Sequence, residues 1–181
     1  MDISKKQFET VLVSWEEGIT TITLNRPEFL NAMSPQLILD IGEAEEMVSK
    51  DEETRVVVIT GSGKAFCAGG DVAEDVAIVG EKTPFEYREY ILSFTNAIKG
   101  VYWMEKPVIA AINGVAVGGG VDLATACDIR IACDKARFGA GYIRMGIISE
   151  LGGNYFLPRL IGLGKAKLFA FTGELIDAKK A

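Results

Sequence analysis

The stretch "AINGVAVGGGVDLA", residues 111–124, sets three consecutive glycines ahead of a segment of helical composition. It offers no side-chain nucleophile, and Asn113 and Asp122 are its only polar side chains. The preceding run "PVIAAI" (107–112) is apolar throughout and of strand length, the pattern of a strand buried on both faces of a parallel sheet. A buried strand therefore runs into bare backbone and then into a helix. The same grammar occurs earlier, where "RVVVIT" (55–60) leads to "FCAGGD" (66–71). Glycine lets a ligand approach the main chain closely. An N–H at a helix start has no intrahelical acceptor and carries partial positive charge. Two such N–H groups, one from each loop, could converge on one oxygen and form an oxyanion hole without any side chain. The same glycines equally suit close packing of a helix on a strand.

Working outward, "VLVSW" (11–15) and "ITTITL" (19–24) read as a hairpin across "EEG". Ser34 followed by Pro35 marks a helix start, and Leu37, Ile41, Ala44 and Val48 recur at helical spacing, which predicts an amphipathic helix over 35–49. Residues 84–103 read as a helix, Asn113-Gly114 as a turn, 119–127 as a short helix and "DIRIAC" (128–133) as a strand. Residues 153–162 and 164–171 also read as helical. Strands alternating with helices argue an α/β fold with a parallel sheet. No linker or repeat divides residues 1–181, so a single domain is expected.

Composition excludes several chemistries. The 181 residues contain no histidine, which removes His-based triads and His-ligated metal sites. Carboxylates, Tyr, Lys, Cys and backbone N–H groups remain as catalytic parts. A net charge of −6 argues against nucleic acid and anionic lipid as partners. Cys67, Cys127 and Cys133 form no CxxC pair and read as buried thiols of a cytoplasmic protein. The N-terminus lacks a signal-peptide core, and the uncharged run 107–121 is too short to span a membrane. "GSGKA" (61–65) fails as a phosphate loop, because Val58 stands at the first glycine position and Ala65 at the Ser/Thr position. "GLGKAK" (162–167) fails as a dinucleotide fingerprint, with Lys167 where the third small residue belongs.

Four segments taken together, "NRPEFLNAM" (25–33), "GSGKAFCAGGDV" (61–72), "KPVIAAINGVAVGGGVDLATACDIRIACDKARFG" (106–139) and "FLPRLIGLGKA…FTGELIDA" (156–178), resemble the crotonase superfamily, the enoyl-CoA hydratase/isomerase family. The resemblance runs from about residue 10 to the end. It implies a ClpP/crotonase-like spiral of ββα units, an acyl-CoA thioester as substrate, and assembly into trimers or hexamers. It implies no metal and no separate cofactor, since coenzyme A is part of the substrate. By position in the family motifs, the oxyanion-hole donors would be the amides of Gly70 and Gly119, with Ala68, Asp71 and Val72 beside the ligand. The chain ends where the family usually continues into further helices, so only the core part is expected here.

The acids carry the choice of reaction. Hydratases of the family bear a glutamate three residues after the middle glycine, where this chain has Asp122. Their second glutamate position holds Tyr142, which is either a participant or a packing residue. Glu150, in "GIISELGG", occupies a position at which relatives with patterns resembling "TEGG" or "PDSGG" carry an acid, double-bond isomerases among them. An isomerase needs one base with a raised pKa, and Ile147, Ile148 and Leu151 are expected to supply an apolar pocket. Glu150 otherwise reads as an exposed acid at the start of the helix near Gly152. The leading expectation is enoyl-CoA isomerisation with Glu150 as base. Hydration, a lyase reaction using Asp122 and Glu150, stands beside it, and a non-catalytic CoA-binding or assembly module is the alternative of another class. Phe85, Tyr87, Tyr90 and Phe94 form either an aromatic wall for the acyl group or an ordinary buried helix face.

Overall fold

The structure is a computed structural model, and it describes residues 6–74 and 81–181. A hairpin opens the chain, with β1 (Val11–Glu16) and β2 (Ile19–Leu24) paired antiparallel from Val11↔Leu24 to Glu16↔Ile19. The two-residue turn between them has Glu17 and Gly18 both at positive φ, the geometry a twisted hairpin requires. α1 (Pro35–Lys50) starts where Ser34 accepts a hydrogen bond from the Leu37 amide, and it buries Leu37, Ile38, Ile41, Ala44 and Val48. The cap and the apolar stripe are the two features its sequence displays.

β2 runs parallel to β3 (Val56–Gly61), which pairs with β5 (Val108–Ile112), which pairs with β7 (Ile129–Ala132). The five-stranded sheet has the order β1-β2-β3-β5-β7. A second sheet holds three short strands, β4 (Ala65–Cys67), β6 (Val115–Val117) and β8 (Arg137–Gly139), in parallel, with β9 (Ile176–Asp177) antiparallel at its edge. Each of β3, β5 and β7 is thus followed by a short strand of the second sheet and then by a helix. The helices are α2 (Pro84–Tyr102) after β4, α3 (Gly119–Ala126) after β6 and α4 (Tyr142–Met145) after β8. Like strands stack on like strands, so the ββα units form successive turns of a spiral. Met33, paired with Gly70 in a single parallel bridge, occupies the equivalent place in the turn before β3. α5 (Gly153–Ile161) and α6 (Leu163–Thr172) follow, and α5 packs on α3.

The core lies between the first sheet and helices α1, α2 and α3, with Leu24, Ile59, Phe66, Val108, Ile98 and Leu123 fully buried. β7 closes the sheet with all four residues exposed, Ile129 and Ile131 among them. The short strands fall where the sequence signals none: "AFC" lies in what reads as a turn-rich connection, and "VAV" and "RFG" carry no strand signal of their own, yet each forms a three-residue strand because its neighbour in the next turn supplies the partner. Helix α2 buries Phe94 and leaves Phe85 exposed, with Tyr90 packed on the core, the distribution of an ordinary amphipathic face.

Candidate active site

The two glycine loops meet at the end of the second sheet. The loop after β4 runs alongside residues 30–33, held by Ala68 N–H to Leu30 C=O (3.1 Å), Met33 N–H to Gly69 C=O (2.7 Å) and Asp71 N–H to Met33 C=O (3.1 Å). In a parallel bridge the partner bonds to the residues flanking the bridged one. Gly70 therefore turns its own N–H to the opposite edge, and this amide donates to no acceptor among the described residues. Gly70 is exposed.

The second loop ends in Gly118-Gly119-Gly120. Gly118, at φ +54° and ψ −120°, caps α3 in a backbone region closed to other residues. Gly119 begins the helix, and its N–H likewise has no acceptor among the described residues. Gly120 answers to packing: a Cβ there would sit 2.1 Å from the Cys67 carbonyl oxygen. The two readings of the glycine run are thus both realised, at neighbouring residues. The loops abut closely, since a Cβ on Gly69 would stand 3.4 Å from the Gly119 nitrogen, and one on Gly119 would meet Met33 Sδ and Leu151 Cδ1.

One turn into α3, Asp122 is 2% exposed. Its Oδ2 accepts from the Tyr142 hydroxyl (2.5 Å) and from Ser149 Oγ (2.8 Å). Ser149 in turn accepts from the Gly153 amide (2.9 Å), which fixes the 149–153 turn against α3. Burial raises the Asp122 carboxyl to about 6, against the opposing pull of hydrogen bonds from Tyr142, Ser149 and the Gly153 and Leu151 amides. The Tyr142 phenol is pushed well above its usual range by burial and by the Asp122 charge, so it stays a donor. Cys67 lies beneath the loop with its thiol raised to about 12 by burial, which leaves it inert.

Asp122 and Tyr142 are thus together, beside the Gly119 turn. Ser149 joins them without any advance signal in the sequence, because a lone loop serine 27 positions from its partner shows no periodicity. Glu150 is exposed, and its carbonyl accepts from Thr95 Oγ1 at 3.4 Å. The apolar pocket expected around it does not form. Ile147 and Ile148 are 50% and 72% exposed, and only Leu151 is buried. Glu150 stands three residues ahead of α5, whose first amide is taken by Ser149. Among the substrate-binding candidates, Ala68 is half-buried, Val72 is exposed, and Asp71 is paired with Arg26 at 3.0 Å. Among the described residues no group of three or more acids and cysteines could hold a metal, and no helix is long and apolar enough to cross a membrane.

This arrangement has counterparts. The Enoyl-CoA hydratase/isomerase family profile matches residues 14–181. A crotonyl-CoA hydratase of Syntrophomonas wolfei is 38% identical over 175 residues, covering 96% of this chain and 66% of the relative. A short-chain-enoyl-CoA hydratase of Clostridium acetobutylicum is 36% identical over 176 residues, with 97% and 66% covered. The crystal structure of an enoyl-CoA hydratase from Bacillus anthracis superposes with a TM-score of 0.89 at 36% identity, covering 96% of this chain and 66% of that one. The chain therefore spans about 66% of the length of the relatives it matches.

Proposed function

The chain belongs to the enoyl-CoA hydratase/isomerase family, and from that premise we propose that it binds a 2-enoyl-CoA thioester and adds water across the double bond. The observation that carries this reading is the pair of glycine amides on abutting loops that have no acceptor among the described residues, next to a carboxylate whose burial raises its pKa to about 6.

In the proposed reaction the thioester oxygen lies between the Gly70 and Gly119 amides. Asp122, ionised, takes a proton from a water molecule as the hydroxide bonds to the β-carbon. The π electrons move onto the thioester oxygen, where the two N–H groups stabilise the enolate. The carbonyl re-forms as the α-carbon takes a proton back from Asp122. One water supplies both added groups, so a single carboxylate suffices. Its pKa near the working pH suits both halves of the transfer. Tyr142 and Ser149 hold the carboxylate in place. Coenzyme A enters as part of the substrate. The names of the relatives support hydration over isomerisation. Self-association into trimers belongs to the same proposal, and the exposed apolar edge at Ile129 and Ile131 supports it.

Isomerisation with Glu150 as base is the second reading. It is favoured by the contact its neighbour Leu151 makes at the Gly119 turn. The test is to supply a trans-2-enoyl-CoA and a trans-3-enoyl-CoA and follow each product. Hydration of the first is expected, lost by about 100-fold or more in Asp122→Asn and kept in Glu150→Gln. Conversion of the 3-enoyl substrate alone, abolished by Glu150→Gln, would install the second reading. Binding without turnover of either would make the chain a CoA-binding module.

A further inference from the structure

Arg26 is a buried cation between two segments of the site. It is 9% exposed, its Nη1 donates to the Ala32 carbonyl (2.7 Å) and to Asp71 Oδ2 (3.0 Å), and its Nη2 lies 3.5 Å from Glu74 Oε1. Its guanidinium stacks over Phe29 at 4.7 Å. Both hydrogens of its Nη1 are thus spent on the protein's own acceptors, one on each side of the loop. We infer that Arg26 is a positioning residue for the Gly70 amide, an inference that rests on the role proposed for that amide.

The physical need is local. Gly69 sits at φ +95° and Gly70 has no Cβ, so the backbone has little steric reason of its own to hold one peptide orientation. A peptide rotation there would turn the Gly70 N–H away from the Gly119 turn. What opposes it is the strip on either side. Upstream, Met33 N–H binds the Gly69 carbonyl. Downstream, Asp71 is held twice, by its N–H to Met33 and by its carboxylate to Arg26. The same Nη1 also grips Ala32, the residue before Met33. One guanidinium therefore ties both edges of the bridge together next to Gly70. Asn31 anchors the rest of the loop, accepting the Arg26 amide and donating to Ser62 and Ala65 carbonyls. A planar fork can serve a carbonyl and a carboxylate at fixed angles in a way an ammonium cannot.

The test compares wild type, Arg26→Met and Arg26→Lys. Amide hydrogen exchange of peptides covering residues 66–74 is read in the free protein, and the infrared carbonyl frequency of an isotope-labelled 2-enoyl-CoA is read at saturation. In Arg26→Met, exchange in 66–74 is expected to rise about tenfold or more while strand 56–61 is unchanged. The bound carbonyl should lose part of its shift to low frequency, and kcat should fall about 10- to 100-fold with little change in KM. Arg26→Lys should fall between, and it serves alone should the Met variant not fold. Unchanged exchange in 66–74 would overturn the clamp. Faster exchange with an undiminished carbonyl shift would overturn its positioning role. A wild-type protein that binds the thioester with no carbonyl shift would overturn the function reading, and the inference with it.

Discussion

Removing one hydroxyl tests how the acid is tuned. In Tyr142→Phe, Asp122 loses its 2.5 Å donor and keeps Ser149 and the two amides. A hydrogen bond to a charged group contributes about 1.5–3 kcal/mol. At about 1.4 kcal/mol per unit, the Asp122 pKa should climb about 1–2 units above its present value near 6. The sign follows from linkage. The folded pKa lies above the ordinary 3.8, so the carboxyl binds its proton more tightly folded than unfolded. Its contribution is therefore fully present below 3.8, declines as pH rises to about 6, and is level beyond. The variant extends that decline upward. Urea unfolding at pH 5 and pH 8.5 should show Tyr142→Phe less stable at both, with the deficit larger at pH 8.5 by about 1.5–3 kcal/mol. With Asp122 as the proposed base, kcat/KM of the wild type should rise with pH through about 6, and the variant's limb should shift upward by the same 1–2 units. Equal deficits at the two pH values, with an unmoved limb, would refute the coupling between Tyr142 and Asp122.

Two other substitutions have definite outcomes. Gly153→Ala would place a Cβ 2.0 Å from Asp122 Oδ1 and 2.8 Å from Ser149 Oγ, so the carboxylate must move. Hydration should drop about 100-fold with the far-ultraviolet circular dichroism unchanged, since misplacement by an ångström has that scale of effect. Glu45, on α1, is 5% exposed, its Oε1 has no hydrogen-bond partner among the described residues, and burial raises its pKa to about 9. Its proton too is held more tightly when folded, so stability should decline between pH 4.5 and about 9, and Glu45→Gln should grow steadily more stable than wild type across that interval in urea titrations. A constant difference would show that Glu45 is solvated.

Much of the architecture was legible because it rests on local or periodic signals. The apolar runs of β3 and β5 mark buried strands, and Ser34-Pro35 with the stripe from Leu37 to Val48 marks α1. The second sheet was not legible. Its strands are three residues long, and their pairing depends on stacked turns of the spiral far apart in sequence. At the site, Asp122 and Tyr142 stand out by their positions in family motifs, and the structure puts them in contact. Ser149 was hidden because its role comes from a turn folding back over α3. The pocket expected around Glu150 failed for the complementary reason. Ile147 and Ile148 are apolar in a loop, and apolarity without periodicity does not say whether the chain covers them. Arg26 was present in the resembling segment "NRPEFLNAM", but its grip on Asp71 spans 45 positions and leaves no local mark.

Everything chemical proposed for this chain depends on two main-chain donors sharing one oxygen. The direct measurement is a crystal structure of the chain with a bound acyl-CoA thioester. The expected result is a thioester oxygen about 2.7–3.1 Å from the nitrogens of both Gly70 and Gly119. An oxygen held by only one of them, or by neither, would contradict the account.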